Sequence, residues 1–577
     1  MNSPVMDDRS EHIIVCGMGQ CGFRVACLLR RLGRQVTAIS LATREDWIRQ
    51  AEAEGVRVLV GDARDAHLLD QAGIAAARGL IAATDQDPVN IEIAIHASRV
   101  RPDLPIVMRI FDQPLAARLE SALHVQRALS MSALAAPRFA AAILGDQLLG
   151  AFEHDSTRFW IGQIPIRTAS NLVDRLICDL EVDRGVVPLL LVREGRVGVL
   201  DPSETVRAGD ELVVTAPVAA WRDFRRSEGP TSTDPIAPRS RARRGASLMN
   251  ALRVVGQVWR GTSQPIRLVF LALNVLIFLS VFVFQSAMNL TFVDALYFIV
   301  TTVTTTGYGD ITPRDSPDLL KLYAALVMIL GSATLATLYS LITDFIVTAR
   351  FRELLGRQSV VRSGHVVVVG LGNLGYRILG MLRDADVAVV AVERDPSGEL
   401  VGAVKNRGDI VFGDARSADV LDRAGVARAS AVAAVTGDDA VNLGVSLAAR
   451  EISGQIRTLA RLFDADLARQ TQGALSINAV LSASALAAPT FAASCLYSGV
   501  RAGVDLGNRL LIVHEAVMPP AWAGLTPFEV MKMTGAVIVA RADGPRGSTF
   551  VEDGNRPVQA GTAVLLAESL DLAPDAR

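Results

Sequence analysis

A stretch near the start of the chain, His12-Ile-Ile-Val-Cys-Gly-Met-Gly-Gln-Cys-Gly22, returns 353 positions later as His365-Val-Val-Val-Val-Gly-Leu-Gly-Asn-Leu-Gly375. Further pairs follow at an offset of 352: Gly61-Asp-Ala-Arg64 with Gly413-Asp-Ala-Arg416, Thr84 with Thr436, and Asn90 with Asn442. Ser132-Ala-Leu-Ala-Ala-Pro137 likewise matches Ser484-Ala-Leu-Ala-Ala-Pro489. Any fold for this chain must therefore hold two copies of one unit around a different middle.

Within each copy, short apolar runs such as Val366–Val369, Val387–Val392, Ile410–Phe412 and Ala431–Val435 alternate with amphipathic stretches. Continuous runs of this length suit parallel strands covered on both faces, and the alternation suits βαβ units. The later part of each copy mixes short strands, such as Glu211–Thr215, with Gly, Pro and Asp turns, which reads as a small α+β lobe. The expected divisions are α/β lobes at 11–145 and 365–500, smaller lobes at 146–225 and 501–570, a basic linker at 226–264 and an apolar segment at 265–348. Several domains are also what 577 residues require.

Composition narrows the class. Half the residues are hydrophobic and the net charge is −2, which excludes a disordered chain and argues against a nucleic-acid binder. A mean hydropathy of +0.32 fits large soluble lobes plus a small membrane part. Five cysteines without a CxxC argue for a reducing compartment. Cys16, Cys21 and Cys27, beside the first glycine loop, read as small packing residues before a redox sensor. Met1–Arg9 is polar and is followed only by the short apolar Ile13–Cys16, so no secretory signal is expected.

The middle contains two apolar stretches. Pro265–Met288 makes about 36 Å of helix at 1.5 Å per residue, enough to span a bilayer. Leu319–Val347 has charges only at Lys321 and Asp344, near its ends, and makes a second span of about 43 Å. Arginines gather before the first span and after the second, whereas the intervening loop carries Asp294, Asp310, Asp315 and Asp318. The positive-inside rule then puts both termini on the cytoplasmic side of the cell (inner) membrane. Leu248, Leu252, Val255 and Trp259 share one helical face, consistent with a helix on the inner membrane surface, and Arg239–Arg244 is a candidate for contact with anionic lipid.

Between the spans, Phe292–Val303 is a helix too short to cross, followed by Thr305-Thr306-Gly307-Tyr308-Gly309-Asp310. Non-helical backbone at membrane depth is tolerated where it lines a water path, and rings of carbonyls replace the hydration shell of K⁺. This stretch resembles the potassium-channel filter, usually Thr-Val-Gly-Tyr-Gly-Asp, with Thr306 in place of Val. The resemblance implies K⁺ held at Thr305, Thr306, Gly307 and Tyr308. One strand cannot surround an ion, so four chains are expected to assemble. Gly331, midway along the second span, reads either as a gating hinge or as a close-packing glycine.

Gly17-x-Gly19-x-x-Gly22 and Gly370-x-Gly372-x-x-Gly375 each follow a strand and open a helix, an arrangement that admits a diphosphate. The acid expected about 20 residues on is Glu393 in the second copy. Ser40 stands there in the first, with Arg44 nearby. The second site therefore suits a free ribose diol, as in NAD(H) or adenine nucleotides. The first is left open between a 2′-phosphate, another ligand and none.

These copies resemble RCK domains, which regulate K⁺ conductance in prokaryotic channels and in Trk/Ktr-type transport subunits. The resemblance implies that Gly370, Gly372, Asn373, Leu374, Gly375, Glu393, Asp414, Ala415, Thr436 and Arg461 lie around a nucleotide. The weaker counterparts are Gly17, Gly19, Gln20, Cys21, Gly22, Ser40, Asp62, Ala63, Thr84 and Arg109. It also implies pairing of lobes into a cytoplasmic ring, here eight lobes from a homotetramer. The fold class is thus multidomain, a helical membrane pore with a re-entrant pore helix flanked by two Rossmann-like domains with small C-lobes. Ca²⁺ is a further candidate ligand, although no loop has EF-hand spacing. The reading is a ligand-gated K⁺ channel, not an enzyme. The alternatives are a nucleotide-sensing component of a K⁺ uptake system and a nucleotide-dependent oxidoreductase, for which no catalytic His, Lys or Tyr constellation is visible.

Overall fold

The computed structural model describes residues 12–41, 45–122, 125–145, 148–168, 170–180, 185–218, 220–221, 264–354, 363–405, 409–463, 476–544, 547–550 and 556–574. The chain divides into two units, 1–239 with 359–577, and 240–358. Arg44, Arg239–Arg244 and the Leu248–Trp259 face lie outside the described residues.

In the larger unit, each copy opens on a six-stranded parallel sheet. The first consists of β1 (His12–Cys16), β2 (Gln35–Ser40), β3 (Arg57–Val60), β4 (Gly79–Ala82), β5 (Ile106–Arg109) and β6 (Arg127–Leu129), in the order β3-β2-β1-β4-β5-β6. The second repeats this order with strands beginning at Val366, Val389, Asp409, Ala431, Arg457 and Ala479. The central strands are buried along their length, as Val366–Val369 is, which explains why they read as unbroken apolar runs. The order reverses beside β1, and the glycine loops lie at that switch point, where ligands of open α/β sheets bind. The second halves are five-stranded antiparallel sheets, each with a short helix, Ile177–Leu180 in the first and Pro527–Thr534 in the second.

The two copies exchange helices. Met131–Leu144, from the first copy, puts Ala135, Ala136, Phe139 and Ile143 into the core of the second sheet. Ala483–Leu496, from the second, puts Ala487, Phe491, Ala492 and Cys495 into the core of the first. Phe139 and Phe491 are fully buried. These helices are apolar nearly all round, and a helix of that kind must be covered on several faces. The two C-lobes share one core, in which Phe152, Ile161 and Leu190 meet Val504, Leu511 and Val539. Burial pushes the thiols of Cys16 and Cys495 up to about 12 and that of Cys21 to about 11, so these cysteines act as packing groups.

The smaller unit contains helices Gln264–Met288, Phe292–Val303 and Asp318–Leu354. Two of them hold stretches long and apolar enough to cross a membrane, Leu271–Met288 and Asp318–Ser340. The re-entrant helix packs between them, with Phe284 edge-on to Phe298 at 5.0 Å and the Ser280 and Tyr323 hydroxyls 3.1 Å apart. Phe282 is 70% exposed and Leu319 81% exposed, so both long helices keep broad apolar faces uncovered within one chain.

Candidate functional site

The filter stretch begins where the short helix ends. Thr291 caps that helix by accepting from the Asp294 N–H at 3.2 Å. At the other end, the N–H groups of Thr306 and Gly307 donate back to the Thr301 carbonyl at 2.9 and 3.1 Å, and Thr305 N–H donates to Thr302 at 3.1 Å. The donors are thus turned into the helix. Thr305, Gly307 and Gly309 have φ of +60°, +51° and +77°, while Thr306 and Tyr308 between them do not. This alternation departs from the uniform negative φ of a strand. The helix C-terminus behind them is the negative end of its dipole and favours a cation. The Thr306 hydroxyl lies 2.9 Å from that of Thr304, so the substituted side chain is held by its neighbour. Residues 304–310 are exposed within one chain.

Gly331 lies where the second long helix passes the foot of the short one. A Cβ there would come within 2.9 Å of Val303 Cγ2 and 3.3 Å of Val303 Cα. The helix runs unbroken through this position.

The second copy's glycine loop borders a cavity of about 520 Å³. Gly370 has φ +95°, and a Cβ on it would meet Thr436 Cγ2 at 2.9 Å. One on Gly375 would collide with the Gly370 carbonyl oxygen. Gly372 begins the Asn373–Asp384 helix without a side-chain cap and has open space around it. First-turn N–H groups of a helix without a side-chain cap favour an anion. The Glu393 carboxylate accepts from the N–H groups of Leu371 at 2.6 Å, Arg394 at 2.8 Å and Asp395 at 3.1 Å. It is fixed at the end of its strand with acceptor capacity left for a diol. Asp414 is paired with Arg416 at 2.6 Å, and those hydrogen bonds hold its carboxyl down to about 2. Asn442, fully buried, bonds Thr436 and the Arg461 carbonyl and so locks the far wall of the cavity.

Arg461 lines the same cavity, and burial lowers its pKa. Arg109 also lines it, although it belongs to the first copy, with its guanidinium 4.6 Å above the Phe111 ring. The sequence places Arg109 with the first glycine loop; at the end of β5 it acts on Cys21 of that loop and also lines the cavity of the second. Two guanidiniums so placed repel each other, and an anion between them relieves that repulsion. Phe111, Met131 and Ser132 reach this cavity from the first copy as well. The Ser132 segment stood out as a repeated sequence, but its destination across the copies had no local signal.

The first copy keeps the frame and changes the contents. Gly17 has φ +95°, a Cβ on Gly22 would collide with the Gly17 carbonyl oxygen, and Asp62–Arg64 and Thr84–Asn90 reproduce the second copy's bonds. Ser40 is buried and donates to the Leu41 carbonyl at 3.0 Å, leaving no carboxylate for a diol. Phe463, the counterpart of Phe111, is engaged by Trp47 at 4.6 Å and by Arg24, whose guanidinium lies 5.0 Å above its ring and donates to its carbonyl. Trp47 also meets Phe23 at 6.0 Å.

The TrkA-N domain family matches residues 13–130 and 366–483, and the Ion channel family matches residues 269–348. The chain carries two TrkA-N domains around an ion-channel domain. Probable potassium channel protein 2 of Methanocaldococcus jannaschii is 28% identical over 183 residues, covering 30% of this chain and 53% of its own length. Voltage-gated potassium channel Kch of Escherichia coli K12 is 29% identical over 175 residues, 30% of this chain and 42% of its own length. The chain thus spans about half or less of these curated relatives. The solved structure of the GsuK channel, at 15% identity and a TM-score of 0.52, covers 98% of this chain and 77% of its own, a likeness of fold. The TrkA-N boundaries enclose both glycine loops, and the channel-domain match encloses the filter stretch.

Proposed function

We propose that four copies of this chain form a K⁺-selective channel in the inner membrane, gated by a nucleotide at the second TrkA-N domain. The observation that carries selectivity is the run Thr305–Gly309, with φ alternating in sign and the N–H groups of Thr305, Thr306 and Gly307 turned back into a helix end. Such a run offers carbonyls to a dehydrated cation only when several copies surround one axis. The exposed apolar faces of the long helices supply surface for lipid and for sister chains. The cytoplasmic placement of both termini follows from the arginines that flank the spans.

Gating by NAD(H) or an adenine nucleotide is supported by the second cavity, where Glu393, the glycine loop, Arg109 and Arg461 offer a diol acceptor and a phosphate cradle. Ten residues separate Leu354, the end of the second long helix, from His365, whereas 46 separate Pro217 from Gln264. A short tether passes displacement on and a long one loses it to slack. Nucleotide at the second domain therefore drives the pore, and the first domain modulates it. Binding shifts the gate only through different affinity for open and closed states. Single-channel recording tests this assignment: Glu393→Ala abolishes the nucleotide response, and Ser40→Ala retains it. A full response in Glu393→Ala rejects the site. Among the described residues no group of three or more His, Cys, Asp or Glu gathers to hold a metal, and Ca²⁺ is no part of the proposal. The alternative of a regulatory component without its own pore is disfavoured by the channel domain within the same chain.

A further inference from the structure

The exchange of helices creates two mirrored contacts between a glycine-loop helix of one copy and the C-lobe of the other. One is closed. At the end of the Gln20–Arg31 helix, Arg31 pairs with Asp505 at 3.2 Å, donates to the Ala573 carbonyl at 3.1 Å and also bonds the Gly507 carbonyl. The other contact is open. Between the Asn373–Asp384 helix and the first C-lobe lies a cavity of about 700 Å³ that shares no residue with the nucleotide cavity.

The repeat explains the opening. Asp384 occupies the position of Arg31, and Glu153 that of Asp505, so a cation–carboxylate pair is replaced by two carboxylates. Around them the lining brings Arg127, Arg158, Arg377, Arg383 and Arg501 together. Glu153 is already neutralised by Arg158 at 2.8 Å, and Arg501 faces Glu515 at 2.5 Å. Arg127 is served poorly. Its Nε is buried without a hydrogen-bond partner, and the nearest carboxylate oxygen, on Glu120, is 3.8 Å away and accepts from the Ala128 N–H at 2.7 Å. With Glu515 against Arg501 and Glu120 beside Arg127 counted in, the five guanidiniums face four carboxylates and keep an excess of one positive charge, and an arginine fork suits the oxygens of phosphate and carboxylate. The volume is that of a small-molecule site.

We propose that this cavity binds a small multivalent oxyanion, anchored by Arg127, that closes the second contact as Arg31 and Asp505 close the first. The site stands independently of the nucleotide reading. The test is calorimetric titration of the purified full chain at low salt with pyrophosphate and, separately, citrate. It is run on Arg461→Ala, which weakens anion binding at the glycine loop. One or both probes bind this variant, and adding Arg127→Ala weakens binding about tenfold, the loss of one charge-assisted hydrogen-bonded contact. Pyrophosphate alone points to phosphate esters, whereas both probes point to oxyanions in general. Arg158→Ala, on the exposed rim, weakens binding less and guards against misfolding of the Arg127 variant. Affinity unmoved by either arginine substitution, or absence of binding in Arg461→Ala, overturns the proposal.

Discussion

The two TrkA-N domains share backbone, glycine turns and the Asp–Arg and Thr–Asn bonds, yet they differ at the end of the second strand and in the aromatic groups nearby. Glu393 collects three backbone N–H groups at the mouth of an open cavity, where Ser40 closes onto its own neighbour. In the first copy Phe463, from the other copy, is held by Trp47 and Arg24; its counterpart Phe111 lines the Glu393 cavity together with Arg109. A duplicated fold can thus keep its frame in both halves and vary the groups around each glycine loop. Contact between the copies is what lets residues of the first line the cavity of the second.

The sharpest way to break this comparison is to attack the exchange. Phe491→Ala removes a fully buried ring that the second copy lends to the first, at a cost of about 3–5 kcal/mol. Hydrogen exchange should then show protection lost along the first sheet, β1 to β6, before the second. Loss confined to the second sheet would contradict the exchanged packing.

Smaller effects follow at the ligand. Arg109→Ala, although in the first copy, should weaken nucleotide binding at the second about tenfold, as expected for one charge-assisted contact. Calorimetry with NAD⁺ and ADP reads this directly, and unchanged affinity would return Arg109 to a purely structural role. Ser40→Glu should bring little gain, because Phe463 remains packed against Trp47; a second binding event of equal affinity would show that one residue alone separates the copies.

The smallest effect is one both copies share. Asp62 and Asp414 are held below the usual carboxylate range by Arg64 and Arg416. Their folded pKa values are depressed, so their contribution is present above the ordinary carboxylate pKa and fades as pH falls towards about 2, the value for Asp414. Asp62→Asn and Asp414→Asn should each flatten the acid limb of a thermal-stability profile slightly and alike. Unequal flattening would show that the frame itself differs between copies.

Much of this was legible in sequence because the relevant physics is local. Four-residue valine runs read as buried parallel strands, and Val366–Val369 forms with the expected ends. The Phe292–Val303 helix also forms at its expected bounds, since Thr291 caps it and the left-handed Thr305 beyond Thr304 ends it. Glu393 was legible from its spacing to the glycine loop. That Arg109 also reaches the second cavity was not legible, because how the copies meet depends on where Met131–Leu144 and Ala483–Leu496 pack, and apolar helices carry no mark of their partner. The arginine cavity was hidden for the same reason, its lining being drawn from both copies.

The account rests most heavily on the filter stretch. Its direct test is ion flux through the purified chain in liposomes, with K⁺ and Na⁺ gradients compared under otherwise equal conditions. The account predicts rapid K⁺ flux with Na⁺ largely excluded, and loss of that discrimination in Gly307→Ala. Equal passage of both ions, or no passage at all from a folded tetramer, would contradict it.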